Sequence, residues 1–308
     1  MVLMMKSGAA RIPWWLEEFK RQAPDLQVRV WPDVGDKKDV EFAFVWAPDP
    51  GDMATYPNLK AIFSMGAGVD HLFKDPHLPN LPITRVVDIN MTRRMTEFIV
   101  LHVLRHHRQQ PAYDALQRES KWQELKQPAA DQRTVGMLGM GALGSDAAKK
   151  LVGLGFNVVG WSRTKKKVPK VKSYAGPKQF NKFLSLSEIL VCLLPLTKET
   201  ENILNKDAFA MLPKGASFVN AGRGEQVVDA DLLDALDSGH MSHATLDVFR
   251  KEPLPADNPY WSHPKVTVMP HVASYTDPRT VVSQVLENMR RARAGEPLLN
   301  TVDIKLGY

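Results

Sequence analysis

Cysteine is nearly absent from this chain, since Cys192 is the single one among 308 residues. One cysteine excludes an intrachain disulfide and is typical of a reducing compartment. Long apolar runs are also missing, because none approaches the ~20 residues that a membrane-spanning helix needs. Residues 1–6 are too few for the apolar core of a secretory signal. These absences predict a cytoplasmic protein that does not bind a membrane.

A disorder-prone composition and a strong excess of one charge are lacking as well. Charged residues make up 24% and hydrophobic residues 44% of the chain, as in ordinary globular domains. The net charge is +6, but Lys and Arg are scattered apart from a run at 163–172. Small anionic ligands explain this balance as well as nucleic acid does, and we predict no nucleic-acid partner. The length favours two domains, each with its own core.

What is present is a glycine-rich turn between an apolar strand and a helix. Residues 134–144 read Thr-Val-Gly-Met-Leu-Gly-Met-Gly-Ala-Leu-Gly. In a dinucleotide-binding crossover the first glycine permits the turn, the second admits the pyrophosphate, and the third brings the helix close to its strand. The position between strand and helix favours cofactor binding over an accidental turn. The residues predicted to hold the pyrophosphate are Gly139, Met140, Gly141, Ala142, Leu143 and Gly144.

A carboxylate is missing where an NAD-binding domain would carry one. The second strand is predicted at 156–161, and an acid at its end would bind the ribose 2′-hydroxyl of NAD. The chain continues instead with Ser162, Arg163, Thr164 and Lys165. Hydroxyls and cations suit a 2′-phosphate, and arginine grips phosphate with two hydrogen bonds. A solvated basic loop or a nucleic-acid patch is the alternative, but the position favours NADP(H), with NAD(H) as the weaker cofactor.

Strand and helix patterns alternate along the chain, which is typical of parallel α/β architecture. Because the glycine motif starts only at residue 134, a separate α/β unit precedes the nucleotide domain. The last helix is predicted to return to that first unit, leaving a cleft between the domains. Helices are predicted at 14–22, 95–108 and 279–294. Strands are predicted at 40–46, 59–63, 134–138, 156–161, 189–194, 216–220, 244–249 and 266–269.

Three polar motifs follow apolar strands in the second half of the chain. They span 219–224, 246–255 and 268–274, and they contain Arg223, Glu252 and His271. Ligands bind at the carboxyl ends of strands in open α/β sheets. Alone, each residue has an ordinary structural explanation as an ion pair, a turn residue or a loop histidine. Together, at the strand ends of one nucleotide-binding sheet, they indicate a catalytic site.

These motifs resemble those of the D-isomer-specific 2-hydroxyacid dehydrogenases. The similarity is carried by Asn-Ala-Gly-Arg-Gly at 220–224, Asp-Val-Phe-Arg-Lys-Glu-Pro at 247–253 and Pro-His at 270–271. Further motifs are similar to the glyoxylate/hydroxypyruvate reductase A subgroup, namely Trp14-Trp15, Val45-Trp46, Gly66-Ala-Gly-Val-Asp70, Trp161-Ser-Arg163, Gly295-Glu-Pro297, Val302-Asp303 and Gly307-Tyr308.

The resemblance covers nearly the whole chain and implies a fold of two doubly wound parallel-sheet domains. A Rossmann-type nucleotide domain, residues 94–276, would be inserted into a flavodoxin-like substrate domain formed by 1–93 and 277–308. The implied assembly is a homodimer built largely on the nucleotide domains. The long helix at 95–108, which carries Phe98, Val100, Leu101 and Leu104, has more apolar surface than one core-facing stripe needs.

The resemblance also implies NADPH-dependent reduction of a small 2-oxo acid, glyoxylate or hydroxypyruvate. Arg223 would bind the carboxylate of the acid and polarise its carbonyl group. His271 would donate the proton, and Glu252 would favour the protonated imidazole and fix the ring. Backbone N–H groups of Ala67 and Gly68 would bind the carboxylate from the other domain.

The remaining roles concern the nicotinamide and the pocket wall. Asp247 and the carbonyl group of Ala221 would orient the nicotinamide amide, and its ribose would contact Leu194, Pro195 and Thr197. Ser274 joins the substrate-binding set, while Trp46 is either a pocket wall or a core residue. An NAD-linked dehydrogenase of another 2-hydroxy acid and a non-enzymatic scaffold that senses dinucleotides are the alternatives.

No metal site is predicted. His102 and His106 are spaced i, i+4 on a helix, but the sequence offers no third ligand, and a solvated or dimer-facing position is favoured. Arg93 and Arg94 make this segment more basic than is usual in the subgroup, and the sequence leaves open whether they reach the site.

Overall fold

Two parallel β-sheets organise the chain in the computed structural model, which describes residues 1–304, 306 and 307. Contacts divide the chain into two compact units, Met1–Met91 with Thr276–Tyr308, and Thr92–Tyr275. Tyr308, which completes the C-terminal motif, lies outside the described residues. The predicted class, α/β with two parallel sheets, is confirmed.

The elements alternate along the chain as parallel sheets require. The strands are β1 (Val2–Lys6), β2 (Gln27–Val30), β3 (Val40–Val45), β4 (Ala61–Ser64), β5 (Ile83–Thr84), β6 (Thr134–Leu138), β7 (Asn157–Ser162), β8 (Val171–Ala175), β9 (Ile189–Cys192), β10 (Ala216–Asn220), β11 (Met241–Leu246) and β12 (Val266–Val268). The helices are α1 (Ile12–Gln22), α2 (Asp70–Phe73), α3 (Ile89–His107), α4 (Gln110–Arg118), α5 (Ala142–Gly153), α6 (Phe180–Leu184), α7 (Lys206–Met211), α8 (Asp229–Asp237) and α9 (Pro278–Ala294).

The first unit contains a five-stranded parallel sheet in the order β2-β1-β3-β4-β5. This is the flavodoxin-like order. Alternate side chains of β1 enter different cores, Leu3 and Met5 on one side and Val2 and Met4 on the other. Both faces of the sheet are therefore covered, which explains the unbroken apolar runs at 2–5 in β1 and 42–45 in β3.

Helix α9 belongs to this first unit and has clear signals at both ends. The Asp277 carboxylate caps its start by accepting the N–H of Arg279 at 3.0 Å, and Pro278 occupies the first turn. The helix ends at Gly295, which has a left-handed φ of +69°. Three valines of α9 pack with side chains of β1 and β3 in one core, namely Val281, Val282 and Val285.

The second unit contains a seven-stranded parallel sheet in the order β12-β11-β10-β9-β6-β7-β8. Counted from β6, this is the Rossmann order with one additional strand. The order reverses between β6 and β9, and open α/β sheets bind their ligands at such a point. Leu190 and Cys192 face one core of the sheet, while Ile189 and Val191 face the other.

The histidines of α3 differ from the prediction. His102 and His106 are both buried, so of the two positions favoured from the sequence, solvated or dimer-facing, the solvated one is wrong. Burial lowers the pKa of His102 to about 4 and that of His106 to about 3, and both are neutral at neutral pH. His106 lies on the core side, with its Nε2 atom 3.0 Å from the hydroxyl of Thr245.

The described residues lack both a metal-ligand cluster and a membrane-spanning helix. Among residues 1–304, 306 and 307, no three His, Cys, Asp or Glu side chains are grouped so that they could hold a metal ion. Within the same residues, no helix has the length and apolar character needed to cross a bilayer.

Candidate active site

The glycine turn follows β6 and opens helix α5. Gly139 has a φ of +107°, and a Cβ atom there would lie 2.6 Å from the backbone carbonyl group of Leu193. A Cβ atom at Gly144 would lie 1.9 Å from the carbonyl oxygen of Gly139, so α5 approaches its strand closely. A Cβ atom at Gly141 would have no atom of the described residues within 4 Å. The turn is tight against the sheet and open at the helix start, as a bound pyrophosphate requires.

The other predicted residues of this turn support it or border it. Met140 is buried beneath the turn, and a Cβ atom at Gly160 would meet its Sδ atom at 2.6 Å. Ala142 and Leu143 lie in the first turn of α5. The first N–H groups of any helix have no acceptor within that helix, and they point outward along its axis. They are suitable donors for an anion.

The basic segment follows β7. Ser162 ends the strand, is buried, and donates its hydroxyl hydrogen to the carbonyl oxygen of Thr164 at 2.8 Å. Arg163, Thr164 and Lys165 are exposed. The hydroxyl of Ser162 is thus engaged within the loop, and the exposed side chains beside it carry the positive charge.

The segment after β9 turns sharply. The hydroxyl of Thr200 donates to the carbonyl oxygen of Pro195 at 2.7 Å and accepts the N–H of Thr197 at 2.8 Å. A hydrogen bond from Thr197 is the main reason that the pKa of the Glu199 carboxyl is lowered. The charge of Arg163 contributes to the same shift in smaller part, so the basic segment lies near this turn.

Arg223 lies in the loop that follows β10. Asn220 holds this loop, because its amide nitrogen donates to the carbonyl oxygen of Arg223 and its amide oxygen accepts the N–H of Gly222, both at 3.1 Å. The half-buried guanidinium group donates to the carbonyl oxygen of Gly222 at 2.8 Å. The N–H of Ala221 donates to the carbonyl oxygen of Cys192 at 3.1 Å, which joins the loop to β9.

His271 and Glu252 form a hydrogen-bonded pair, with 2.7 Å between Nδ1 and Oε2. The other carboxylate oxygen of Glu252 accepts the N–H of Phe249 at 2.9 Å. Burial tends to raise the pKa of Glu252, but these hydrogen bonds and the charges of His271 and Arg223 outweigh it and leave the pKa lowered. An ionised carboxylate only accepts, so Nδ1 of the ring donates to it, and proton transfer to a ligand falls to Nε2.

The backbone at His271 is strained, with a φ of +54°. A left-handed conformation at a residue other than glycine costs about 1–3 kcal/mol and is found mainly at functional sites. Asp247 maintains it: its carbonyl oxygen accepts the N–H of His271, and its carboxylate accepts the N–H groups of Val272 and Ala273 at 2.8 and 2.9 Å. Burial raises the pKa of the Asp247 carboxyl, and the two N–H donors offset this only in part.

The Arg223 and Glu252 loops are packed directly against each other. A Cβ atom at Gly224 would lie 1.9 Å from the carbonyl carbon of Phe249, so only glycine fits. Arg250 donates to the carbonyl oxygen of Val227 at 2.9 Å. The strands β10, β11 and β12 are neighbours in the sheet. The structure thus brings Arg223, Glu252 and His271 together at the ends of three adjacent strands.

The predicted residues of the first unit lie in one loop system after β3 and β4. The Ser64 hydroxyl accepts the N–H of Gly66 at 3.2 Å and donates to the carbonyl oxygen of Gly68 at 3.1 Å. The ring of Trp46 packs against His71, with 4.5 Å between ring centroids. A Cβ atom at Gly66 would lie 2.7 Å from that indole. The loop that contains Ala67 is therefore held by both the hydroxyl and the indole.

Comparison with known proteins gives a consistent result. Residues 100–273 match the family described as D-isomer specific 2-hydroxyacid dehydrogenase, NAD binding domain. Over 300 residues the chain is 40% identical to glyoxylate/hydroxypyruvate reductase A of Serratia proteamaculans, covering 96% of each chain. This chain belongs to the D-isomer specific 2-hydroxyacid dehydrogenase family.

Solved structures of the family are similar over almost the entire length. A D-isomer specific 2-hydroxyacid dehydrogenase from Xanthobacter autotrophicus Py2, in complex with NADPH and MES, is 43% identical with a TM-score of 0.94, covering 99% of both chains. An NADPH-dependent glyoxylate/hydroxypyruvate reductase from Sinorhizobium meliloti, in complex with NADP and sulfate, is 39% identical with a TM-score of 0.93. It covers 100% of this chain and 99% of its own. The predicted family and its similarity to the reductase A subgroup are confirmed.

The structure shows contacts of further site residues that the sequence did not predict. Gln226 contacts the backbone of Arg223, and Asn220 holds the same loop from the other side. Asn220 stood inside a predicted motif without a role, and Gln226 was not singled out. Arg94 does approach the segment after His271: its guanidinium group lies 5.1 Å from the ring centroid of Tyr275.

Proposed function

We propose that this protein catalyses the NADPH-dependent reduction of small 2-oxo acids, glyoxylate to glycolate and hydroxypyruvate to D-glycerate. The observation that carries the proposal is the hydrogen bond of 2.7 Å between His271 and Glu252 at the strand end next to Arg223. The same sheet carries the open glycine turn. Relatives at about 40% identity that bear this reductase name support it.

The side chains of the site supply the acid and the charge that the reaction needs. Bound NADPH supplies the hydride that adds to the carbonyl carbon of the 2-oxo acid. Arg223 binds the carboxylate of the acid and polarises the carbonyl group. His271 delivers the proton from Nε2 to the carbonyl oxygen, and the Glu252 carboxylate stabilises the imidazolium before transfer. One hydride and one proton convert the carbonyl group to the hydroxyl group.

The cofactor fits the residues of the second unit. The glycine turn, with Met140 beneath it and the N–H groups of Ala142 and Leu143, would hold the pyrophosphate. Arg163, Thr164 and Lys165 would bind the 2′-phosphate, with Ser162 shaping their loop. The nicotinamide and its ribose would contact Leu194, Pro195, Thr197, Ala221 and Asp247. Each carboxylate oxygen of Asp247 retains acceptor capacity beyond one backbone N–H.

The first unit would supply the rest of the substrate site. We assign the carboxylate to the N–H groups of Ala67 and Gly68, with Trp46 of the same unit as a further contact. Ser274, which belongs to the second unit, is assigned as another contact. The loop of Gly66 is held closely by Ser64 and Trp46. A held loop discriminates by size, so small acids are favoured over acids with bulky side chains.

The proposal predicts oxidation of NADPH on addition of glyoxylate or hydroxypyruvate. Loss of NADPH absorbance should be rapid with these two acids and slow with phenylpyruvate, because the proposed size selection by the Gly66 loop disfavours its ring. Arg223→Ala serves as the control, because it leaves the cofactor turn intact and removes the carboxylate-binding group. Bound NADPH, seen by its fluorescence, without turnover of any 2-oxo acid would contradict the proposal and favour a dinucleotide-sensing scaffold.

We also propose a homodimer in which α3 takes part. Leu101 on this helix is 60% exposed, although its neighbour Ile99 is fully buried. Trp122, which follows α4, is fully exposed as well. Exposed apolar side chains of this size are candidates for a protein interface.

Light scattering should give twice the chain mass of 34.5 kDa at micromolar concentration. Leu101→Glu places a charge in the interface and should shift the mass toward that of one chain. Leu154→Glu is the matched control, because Leu154 is also exposed, at 45%, but lies at the end of α5. A single-chain mass for the unmodified protein would refute the dimer.

The proposed location is the cytoplasm. Cys192 is buried, and burial raises the pKa of its thiol to about 12. The proposal rests on the single cysteine, which permits no intrachain disulfide.

A further inference from the structure

The side chain of Gln226 is fully buried, at 0% exposure, between two segments of the site. Its amide oxygen accepts the N–H of Arg223 at 2.9 Å and the thiol of Cys192 at 3.2 Å. Its amide nitrogen donates to the carbonyl oxygens of Leu194 at 2.8 Å and Pro195 at 3.2 Å. Both hydrogens of the amide nitrogen and both acceptor positions of the oxygen are therefore used.

The partners fix both the orientation and the identity of this side chain. Two donors face the amide oxygen and two carbonyl oxygens face the amide nitrogen. In the reversed amide, the nitrogen would face the two donors and the oxygen would face the two carbonyl oxygens. The thiol of Cys192 keeps its hydrogen, because burial raises its pKa to about 12, and it acts as a donor. A glutamate at 226 would place an acceptor against two acceptors. Methionine has the same length but would leave the N–H of Arg223 without this acceptor.

Gln226 thereby links two parts of the site that belong to different strands. Arg223 follows β10, and its carbonyl oxygen is held by Asn220 at 3.1 Å while its N–H is held by Gln226. Leu194 and Pro195 follow β9. Gly222 lies against the amide, since a Cβ atom there would come 2.4 Å from the Gln226 oxygen. Only glycine at 222 therefore leaves room for this amide.

We infer that Gln226 is a positioning residue for the reaction, which sets Arg223 relative to the segment proposed to contact the nicotinamide ribose. The inference rests on the proposed function. Reacting groups that are displaced by about 1 Å can lose about 10²-fold in rate. Because Gln226 binds both the Arg223 loop and the segment of Leu194 and Pro195, it keeps the distance between these two parts of the site constant.

Gln226→Met should lower kcat/KM for the 2-oxo acid by roughly 10–100-fold and raise its KM, because Arg223 loses its backbone anchor. The dissociation constant of NADPH, measured by fluorescence without substrate, should rise by roughly threefold to tenfold, because Leu194 and Pro195 lose their donor. Gln226→Asn keeps a buried amide that is too short for both segments, and it should show a smaller loss of the same kind. It also serves as the test if the methionine variant does not fold.

A double-mutant cycle separates positioning from general stabilisation. In an Arg223→Ala background the kinetic cost of Gln226→Met should shrink to about twofold, because the guanidinium group it positions is gone. The rise in the NADPH dissociation constant should be the same in both backgrounds. A merely structural glutamine would cost the same kinetic factor in each.

Asn288 provides a matched control. It is a buried amide at 1% exposure in the first unit, and its side chain binds the N–H and carbonyl groups of Leu299 at 2.8 and 3.2 Å. Asn288→Leu should lower Tm as Gln226→Met does while changing kcat and KM by less than about twofold.

If the unmodified enzyme is active and neither Gln226→Met nor Gln226→Asn changes kcat or KM, the inference is wrong but the proposed function stands. An equal kinetic cost in both Arg223 backgrounds would lead to the same conclusion. Absence of turnover by the unmodified enzyme with every 2-oxo acid would overturn the proposed function and the inference with it.

Discussion

Replacing His271 with alanine should lower kcat for 2-oxo-acid reduction by roughly 10²–10⁴-fold. The imidazole is the acid that completes the alcohol, and water in its place is a much weaker acid. The bond of 2.7 Å to an ionised carboxylate fixes the ring so that Nε2 delivers the proton. NADPH binding should change little, because the glycine turn and the basic segment are built from other strands.

The pH dependence gives this prediction a second readout. Reduction consumes a proton that His271 delivers, so kcat/KM of the unmodified enzyme should fall as the pH rises. The residual activity of His271→Ala should lack this decline. Glu252→Gln keeps a hydrogen-bonding partner but removes its charge, and it should retain more activity than His271→Ala. Near-normal turnover by His271→Ala would remove the residue from the mechanism.

Arg223→Ala is expected to behave differently from His271→Ala. Its guanidinium group contacts the substrate before and during the reaction, so both KM and kcat should suffer. The proton donor acts mainly in the transition state, so its loss should appear chiefly in kcat. The ratio of the two effects distinguishes the roles of the two side chains.

The sequence predicted elements best where an apolar run had polar or glycine boundaries. Strand β10 was predicted at 216–220, where the structure has it, because Asn220 and the following glycines end the run. Strand β11 was predicted three residues too late, since Ser242 and His243 conceal its start and Val248 continues the apolar pattern into the loop. Strand β8 was missed because it lies at the edge of the sheet, where its exposed face is polar.

Helix boundaries failed for a related reason. Helix α3 begins at Ile89, six residues before the predicted start at 95. Arg93 and Arg94 interrupt the apolar spacing there, although tertiary contacts keep the backbone helical. Helix α8 carries a short, weakly apolar pattern and gains stability from the burial of Leu232 and Leu236, whereas α4 has no buried residue.

The reactive residues of the site could be predicted from the sequence, but the side chains that hold them in position could not. Arg223, Glu252 and His271 stand at strand ends, which is a local feature of the sequence. Gln226 contacts segments that precede it by about thirty positions, and the carboxylate of Asp247 reaches the loop after His271. Such bonds depend on how strands are ordered in the sheet, and one sequence contains no direct record of that order.

Replacing Arg163 with alanine should raise the KM for NADPH strongly and leave the KM for NADH nearly unchanged. NADP and NAD differ only at the 2′-phosphate, so the groups that meet this phosphate decide between them. The Ser162 hydroxyl donates to the carbonyl oxygen of Thr164, which leaves discrimination to the exposed side chains of Arg163, Thr164 and Lys165. Arginine contributes most, because its planar group can form two charge-assisted hydrogen bonds with a phosphate.

The size of the preference follows from those bonds. Two charge-assisted hydrogen bonds at about 1.5–3 kcal/mol each correspond to roughly a hundredfold or greater preference for NADPH before solvent screening reduces it. Raising the salt concentration should weaken NADPH binding more than NADH binding. Lys167→Ala is the matched control, because it removes an equal charge from the same exposed loop beyond the predicted contacts. Equal kcat/KM for the two cofactors in the unmodified enzyme would sink the assignment, and an equal effect of Lys167→Ala would show that net charge rather than the Arg163 contact selects NADPH.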